Sequence, residues 1–295
     1  SMRAVDALRA AFGPKIAPLQ LAIGAAHSFT GYVDLVHRTA WAYEKGRRHE
    51  VPIPAELEAE VATRRDQLLE AAAEADDEVL TKYLEGQEIS AAELEACLHR
   101  GVRESILAPA MLVSAEQGIG LEGLLDAIVR YLPSPAEEPP RTAAGRDGAA
   151  VAVPCDRDGP LLLQVFKTTA DPFVGRLTYL RVHSGVLHSH DHAWNAARGE
   201  EERIGQLLYL HGKDQEPAGE LGAGEIGAVA KLVHTETGDS LSTRETPLTL
   251  PRPEFPAPTL AVAIEPQTKA DLDKLSGALA RLLEEEPTAL VDRPP

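Results

Sequence analysis

Three histidines stand at alternate positions in His188-Ser189-His190-Asp191-His192. Successive strand side chains point to opposite faces, so a strand here would carry three imidazoles on one face. Imidazole is a common metal ligand, and this reading leads to a metal-dependent β-barrel enzyme. The competing reading is an exposed, His-rich hairpin. A second candidate is Val113-Ser114-Ala115-Glu116-Gln117-Gly118, which follows an apolar strand-like run and precedes a helical one. A loop at the carboxyl end of a strand suits ligand binding in α/β folds. The plain alternative is an ordinary strand-to-helix connection. Asp156-Arg157-Asp158-Gly159 matches the letters DxxG of a GTPase switch. With no phosphate loop ahead of it, it reads as a polar turn. The sequence contains no GxxxxGK[ST], HExxH or GxSxG motif.

Between Glu50 and Glu95 fourteen carboxylates face only three basic residues, Arg64, Arg65 and Lys82. Such runs are often solvated faces, but this imbalance also suits a basic protein partner. The whole chain of 295 residues has a formal charge of −17, which disfavours DNA, RNA or anionic membrane binding by the surface at large. Any RNA contact needs a local basic patch. Cys97 and Cys155 form no CxxC, and a cytoplasmic setting without disulfides is expected. No apolar run approaches the roughly 20 residues of a membrane span. Ser1 ahead of Met2 reads as an added residue, and no signal pattern follows it.

These residues need elements to hold them. Residues 3–12 read as the end of a helix, closed by Gly13-Pro14. Short β runs follow at 18–23 and 31–36. A helical pattern covers Pro54 to about Glu85, and Ser90-Ala91-Ala92-Glu93 has the form of a capping box. Residues 106–113 look strand-like and 121–131 helical. Residues 134–150 read as a linker rich in Pro, Ala and Gly. Strands are expected at 161–167, 175–183, 185–192, 202–210 and 225–232, with turn residues between them, as in a barrel or sandwich. A second linker, 251–258, precedes a strand at 260–265 and a helix at 271–285. Both ends of the chain look cut, so an internal piece of a longer protein is expected.

In this order, the pieces resemble elongation factor G. Pro18-Leu19-Gln20-Leu21-Ala22-Ile23-Gly24 and Phe29-Thr30-Gly31-Tyr32-Val33-Asp34-Leu35 look like the start of that family's G′ insert. Glu74-Ala75-Asp76-Asp77 and Lys82-Tyr83-Leu84-Glu85-Gly86 resemble its helices. Ser114-Ala115 resembles the SA motif that contacts guanine. Val165-Phe166-Lys167-Thr168, Gly175-Arg176-Leu177, Thr237-Gly238-Asp239-Ser240-Leu241 and Ile264-Glu265-Pro266 resemble segments of domain II and the entry to domain III. Glu225, Ser240 and Glu286 depart from the family's usual Asp, Thr and Asp.

The resemblance implies a multidomain α/β plus all-β fold. Residues 1–16 and 106–133 would be the C-terminal remnant of a P-loop GTPase domain, and 17–105 the G′ insert. Residues 151–251 would form the domain II β-barrel, and 257–295 the start of domain III. The implied parent is a translational GTPase that uses GTP and Mg²⁺ for translocation or ribosome recycling. Its partners would be the ribosome, through small-subunit rRNA at domain II and the stalk protein at the acidic insert. Ser114 and Ala115 would bind the nucleotide's base. No catalytic residue is assigned, and the chain itself is expected not to hydrolyse GTP, because phosphate loop, switches and NKxD are missing. Two rivals remain at this point: a non-catalytic ribosome-binding adaptor, and a metal enzyme using His188, His190 and His192.

Overall fold

Helix α1 (Met2–Phe12) leads into a three-residue strand, β1 (Ile16–Pro18). After Leu19 the chain enters an antiparallel meander of β2 (Gln20–Ile23), β3 (Gly31–Asp34), β4 (Thr39–Glu44) and β5 (Arg47–Val51). Helices α2 (Glu58–Ala73), α3 (Asp77–Leu84) and α4 (Ala91–Arg103) follow. Strand β6 (Ala108–Ala110) then pairs in parallel with β1, and α5 (Leu121–Tyr131) comes next. The coordinates are a computed structural model that describes residues 2–171, 175–266 and 268–292. They form two compact units, 1–133 and 134–295.

The run expected at 18–23 is divided at Leu19, because β1 and β2 belong to different sheets. The helical pattern from Pro54 to Glu85 is also divided. The Asp76 side chain accepts from the amides of Glu78 and Val79, so it caps α3 and ends any continuation of α2. At Ser90 the capping box is present in both directions. One core joins sheet and helices: Leu19, Leu21, Val33, Val61, Leu68, Ala72, Leu94 and Leu98 are all buried in it. Arg65 is turned inward and donates to the carbonyls of Leu35 and Val36, 2.5 Å each, which ties α2 to the end of β3.

In the second unit, residues 134–150 are not a plain linker. They contain β7 (Arg141–Ala144), which pairs with β8 (Ala150–Val153) across a Gly145–Gly148 turn. Ala143 and Val153 are buried against Leu162, Leu248 and Leu250. Only one side chain per strand is buried, so the composition looks like that of a linker.

The strands β9 (Leu162–Asp171), β10 (Gly175–Ser184), β11 (Val186–His188), β12 (His192–Asn195) and β13 (Glu200–Arg203) come next. After them come β14 (Leu207–His211), β15 (Asp214–Ala218), β16 (Glu220–Gly222), β17 (Ile226–Ala230) and β18 (Ser240–Ser242). Eight of them form one sheet in the order β13-β12-β18-β9-β10-β17-β14-β15, and β11 pairs with β16. The sheet rolls around a core that includes Leu163, Leu180, Leu187, Ile204, Leu207, Leu221, Val229 and Leu241, and a smaller cluster of Leu177, Leu208 and Ala228 lies on β10, β14 and β17. The strands expected at 185–192 and 202–210 are each broken in two, at the turn through His190 and at the corner around Ile204. Residues 260–265, expected as a strand, pair with nothing among the described residues, and Leu260 and Val262 are exposed. A lone strand leaves its ladder bonds unmade. Helix α6 (Lys269–Glu285) follows, capped by Thr268.

The carboxylate of Asp239 is 1% exposed and collects donors from four residues. Arg198 Nε lies 2.7 Å away, Asn195 Nδ2 3.0 Å and the Glu236 amide 3.0 Å; Arg252 binds the other oxygen. Burial by itself would raise the Asp239 pKa, but these donors outweigh it and hold the carboxyl below its ordinary range. A carboxyl depressed in this way stabilises the fold above its unfolded pKa of about 3.9, and the contribution is lost as pH falls through the folded value. Asp239→Asn should therefore cost about 3 kcal/mol at pH 7. Urea denaturation of both proteins at pH 7 and pH 3 checks this, and the gap should narrow at the lower pH.

Candidate functional site

The loop that carries Ser114 and Ala115 leaves the carboxyl end of β6 and enters α5. It is closed by a reciprocal pair of backbone hydrogen bonds, Ser114 N to Ile119 O at 2.8 Å and Ile119 N to Ser114 O at 3.1 Å. Ile119 is buried, while Ala115, Glu116 and Gln117 are exposed and Ser114 is half-buried. The two glycines are required by the backbone. Gly118 has φ 68° and Gly120 has φ 83°, and a Cβ on Gly120 would lie 2.3 Å from the Leu112 carbonyl oxygen. The loop is thus anchored at both ends and open at its tip, which suits contact with the edge of a flat ligand.

Two side chains that the sequence did not single out hold this loop. Gln20 Oε1 accepts from the Leu112 amide at 2.9 Å, at the entry to the loop. The Tyr43 hydroxyl donates to Glu122 at 2.7 Å. No spacing rule links residues so far apart in the chain. Arg48 stacks on the Trp41 ring at 4.4 Å and reaches Asp126 at 3.2 Å. A cavity of about 270 Å³ lies between the meander and α5, lined by Gln20, Tyr32, Trp41, Arg48, Gly123 and Asp126 among others.

The histidine reading is corrected. His188 ends β11 and faces Glu220 at 3.4 Å, His190 lies in a turn with φ 68°, and His192 starts β12 opposite Glu201 at 3.6 Å. The turn breaks the alternation on which a shared face depends. Among the described residues no group of three or more His, Cys, Asp or Glu side chains could hold a metal ion. Asp156 forms a turn with Asp158 and Gly159, through bonds of 3.0 and 3.2 Å, in line with the polar-turn reading of 156–159.

On the acidic helices the three bases are already engaged. Arg65 is turned inward, Lys82 pairs with Glu93 at 2.5 Å and Arg64 approaches Glu60 at 3.7 Å. Glu70, Glu74, Asp77 and Glu78 remain at least partly exposed. On the barrel, the outward residues of β10 are Tyr179, Arg181 and His183, alternating with buried Thr178, Leu180 and Val182. Phe166 lies 6.2 Å from the Tyr179 ring, and Lys167 lies over that ring at 5.7 Å. Burial, with Arg141 and Arg181 nearby, pushes the His183 imidazole down to about 4. Among the described residues no helix is long and apolar enough to cross a membrane.

Residues 160–244 match the family described as Elongation factor G domain 2, and residues 255–294 match Elongation Factor G, domain III. Elongation factor G of Mycoplasma pneumoniae is 38% identical over 289 residues, which is 97% of this chain and 42% of that protein. A crystal structure of a Thermus thermophilus protein superposes with a TM-score of 0.83 at 34% identity, covering 99% of this chain and 42% of the other. The chain thus spans less than half the length of the relatives it matches. Along nearly its whole length it is a relative of elongation factor G, with that family's domain 2 followed by residues of its domain III.

Proposed function

We propose that the chain is part of a ribosome-associated translational GTPase that drives translocation or ribosome recycling in the cytoplasm. The observation that carries this is collinearity, since 97% of the chain aligns with an elongation factor G. In this reading 1–16 and 106–133 belong to the GTPase domain, 17–105 to its G′ insert, 151–251 to domain II and 257–295 to domain III. Ser114 and Ala115 contact guanine. GTP and Mg²⁺ belong to the longer protein. The anchored, open loop fits a base edge, but the described residues gather no carboxylate, His or Cys cluster for a metal ion.

Two surfaces support ribosomal partners. The barrel row Tyr179, Arg181 and His183, with Phe166 and Lys167, combines rings and cations without an ion-pair partner among the described residues for Arg181 or Lys167. That chemistry fits RNA, here small-subunit rRNA, through stacking and phosphate contact. The unpaired carboxylates of α2 and α3 fit a basic protein surface, here the ribosomal stalk protein.

Three outcomes test the proposal. The 295-residue chain should neither hydrolyse GTP nor bind it at micromolar affinity in calorimetry, because a base contact alone lacks the phosphate cradle. Lys167→Glu with Arg181→Glu should weaken sedimentation with small ribosomal subunits about tenfold and flatten its salt dependence. Glu70→Lys, Glu74→Lys and Asp77→Lys together should lower affinity for the stalk domain about tenfold at low salt, and much less at high salt. Unchanged binding in both mutant experiments would remove the ribosomal reading.

A further inference from the structure

We infer that Gln20 and Tyr43 are positioning residues for the Ser114–Ala115 loop, and that through them the antiparallel meander sets the loop's shape. The inference rests on the base-contact reading of that loop for its functional meaning, and on geometry alone for its physical content.

The loop has two weak points, one at each end. At entry, β6 stops at Ala110, so the Leu112 amide has no strand partner. Gln20, 5% exposed, supplies its side-chain oxygen at 2.9 Å. At exit, α5 starts on Gly120, whose side chain cannot cap, and the Tyr43 hydroxyl holds the helix's first turn by donating to Glu122 at 2.7 Å. The Leu112 peptide is therefore held at its amide by Gln20 and pressed at its carbonyl against Gly120. Gln20 lies on β2 and Tyr43 on β4 of the same sheet. Both ends of the loop are thus referred to one rigid body.

Further polar contacts reach α5 from the meander, through Arg48, and from α4, through Glu95 and His99. Arg48 meets Asp126 at 3.2 Å, Glu95 meets Arg130 at 3.5 Å, and His99 Nδ1 lies 3.1 Å from the Arg130 carbonyl. A cavity of about 270 Å³ lies between these posts, while Gly123 packs closely against Tyr32 and Gln20 and Tyr131 is buried in the shared core. A shift of the meander therefore acts on the Leu112 amide and on the first turn of α5 together, through Gln20 and Tyr43. Occupancy of the insert and of the loop are coupled through the same two side chains.

Amide exchange of the nucleotide-free chain tests this with three variants. Gln20→Met keeps length but removes the acceptor, and Tyr43→Phe removes the hydroxyl. Each should speed exchange of the amides between Leu112 and Gly120 about tenfold or more, with amides of Leu94 and Leu98 in α4 unchanged. Gln20→Glu keeps an acceptor oxygen and should restore the protection, which a purely structural loss of packing would not predict. Unchanged loop protection in Gln20→Met, equal acceleration throughout residues 2–133, or no rescue by Gln20→Glu overturns the inference. Because no nucleotide is present, its failure is separate from that of the guanine reading. The latter fails if GDP bound to the full-length protein leaves the Ser114 amide unperturbed.

Discussion

The parallel pairing of Ile16–Pro18 with Ala108–Ala110 is the contact on which the first unit depends. It closes the whole meander-and-helix insert into one loop of chain. It also brings Gln20, two residues past β1, beside Leu112, two residues past β6. Two strands of three residues make a weak ladder by themselves. The pairing persists because its neighbours are drawn into the insert's core: Ala17, Leu107 and Tyr131 are buried with Leu19, Leu94 and Leu98. Secondary structure here follows from packing, and the loop beyond β6 inherits its position from both.

The two units solve the same problem by different means. The barrel has an aliphatic core with few aromatic side chains, which suits a chain that is only 4% aromatic. Among its buried polar groups is Asp239, where a buried charge gathers Asn195, Arg198, Glu236 and Arg252 and so fixes the segment leaving the barrel. Such a site favours one arrangement because any other leaves the charge unpaired. At the loop after β6 the contacts are neutral or exposed and surround a cavity, so displacement costs less.

The collinear order of short motifs made the family visible, and so made the fold class visible with it. The capping box at Ser90 and Glu93, the helix at 121–131 and the helix after Thr268 were all readable, because their signals lie within a turn of the residues concerned. The errors have a common origin. His188 to His192 alternates as a strand should, yet His190 takes a left-handed conformation and the face is lost. Residues 134–150 look like a linker because the hairpin to which they contribute, β7 with β8, buries only Ala143 and Val153. Residues 260–265 have strand composition but no partner among the described residues.

By itself the sequence determined what local chemistry can specify: the capping box at Ser90, the loop through Ser114 and Ala115, the acidic excess of α2–α4 and the alternation that builds β10. Only the tertiary structure decided which distant residues meet. Gln20 and Tyr43 carry no motif, and their roles come from a meander folded back against the start of α5. Likewise Leu19 gives no local sign that it divides two sheets, since the division depends on a partner strand far along the chain. Hydrogen bonds and packing act across space, whereas sequence signals act along the chain, and the candidate site is built mainly from the former.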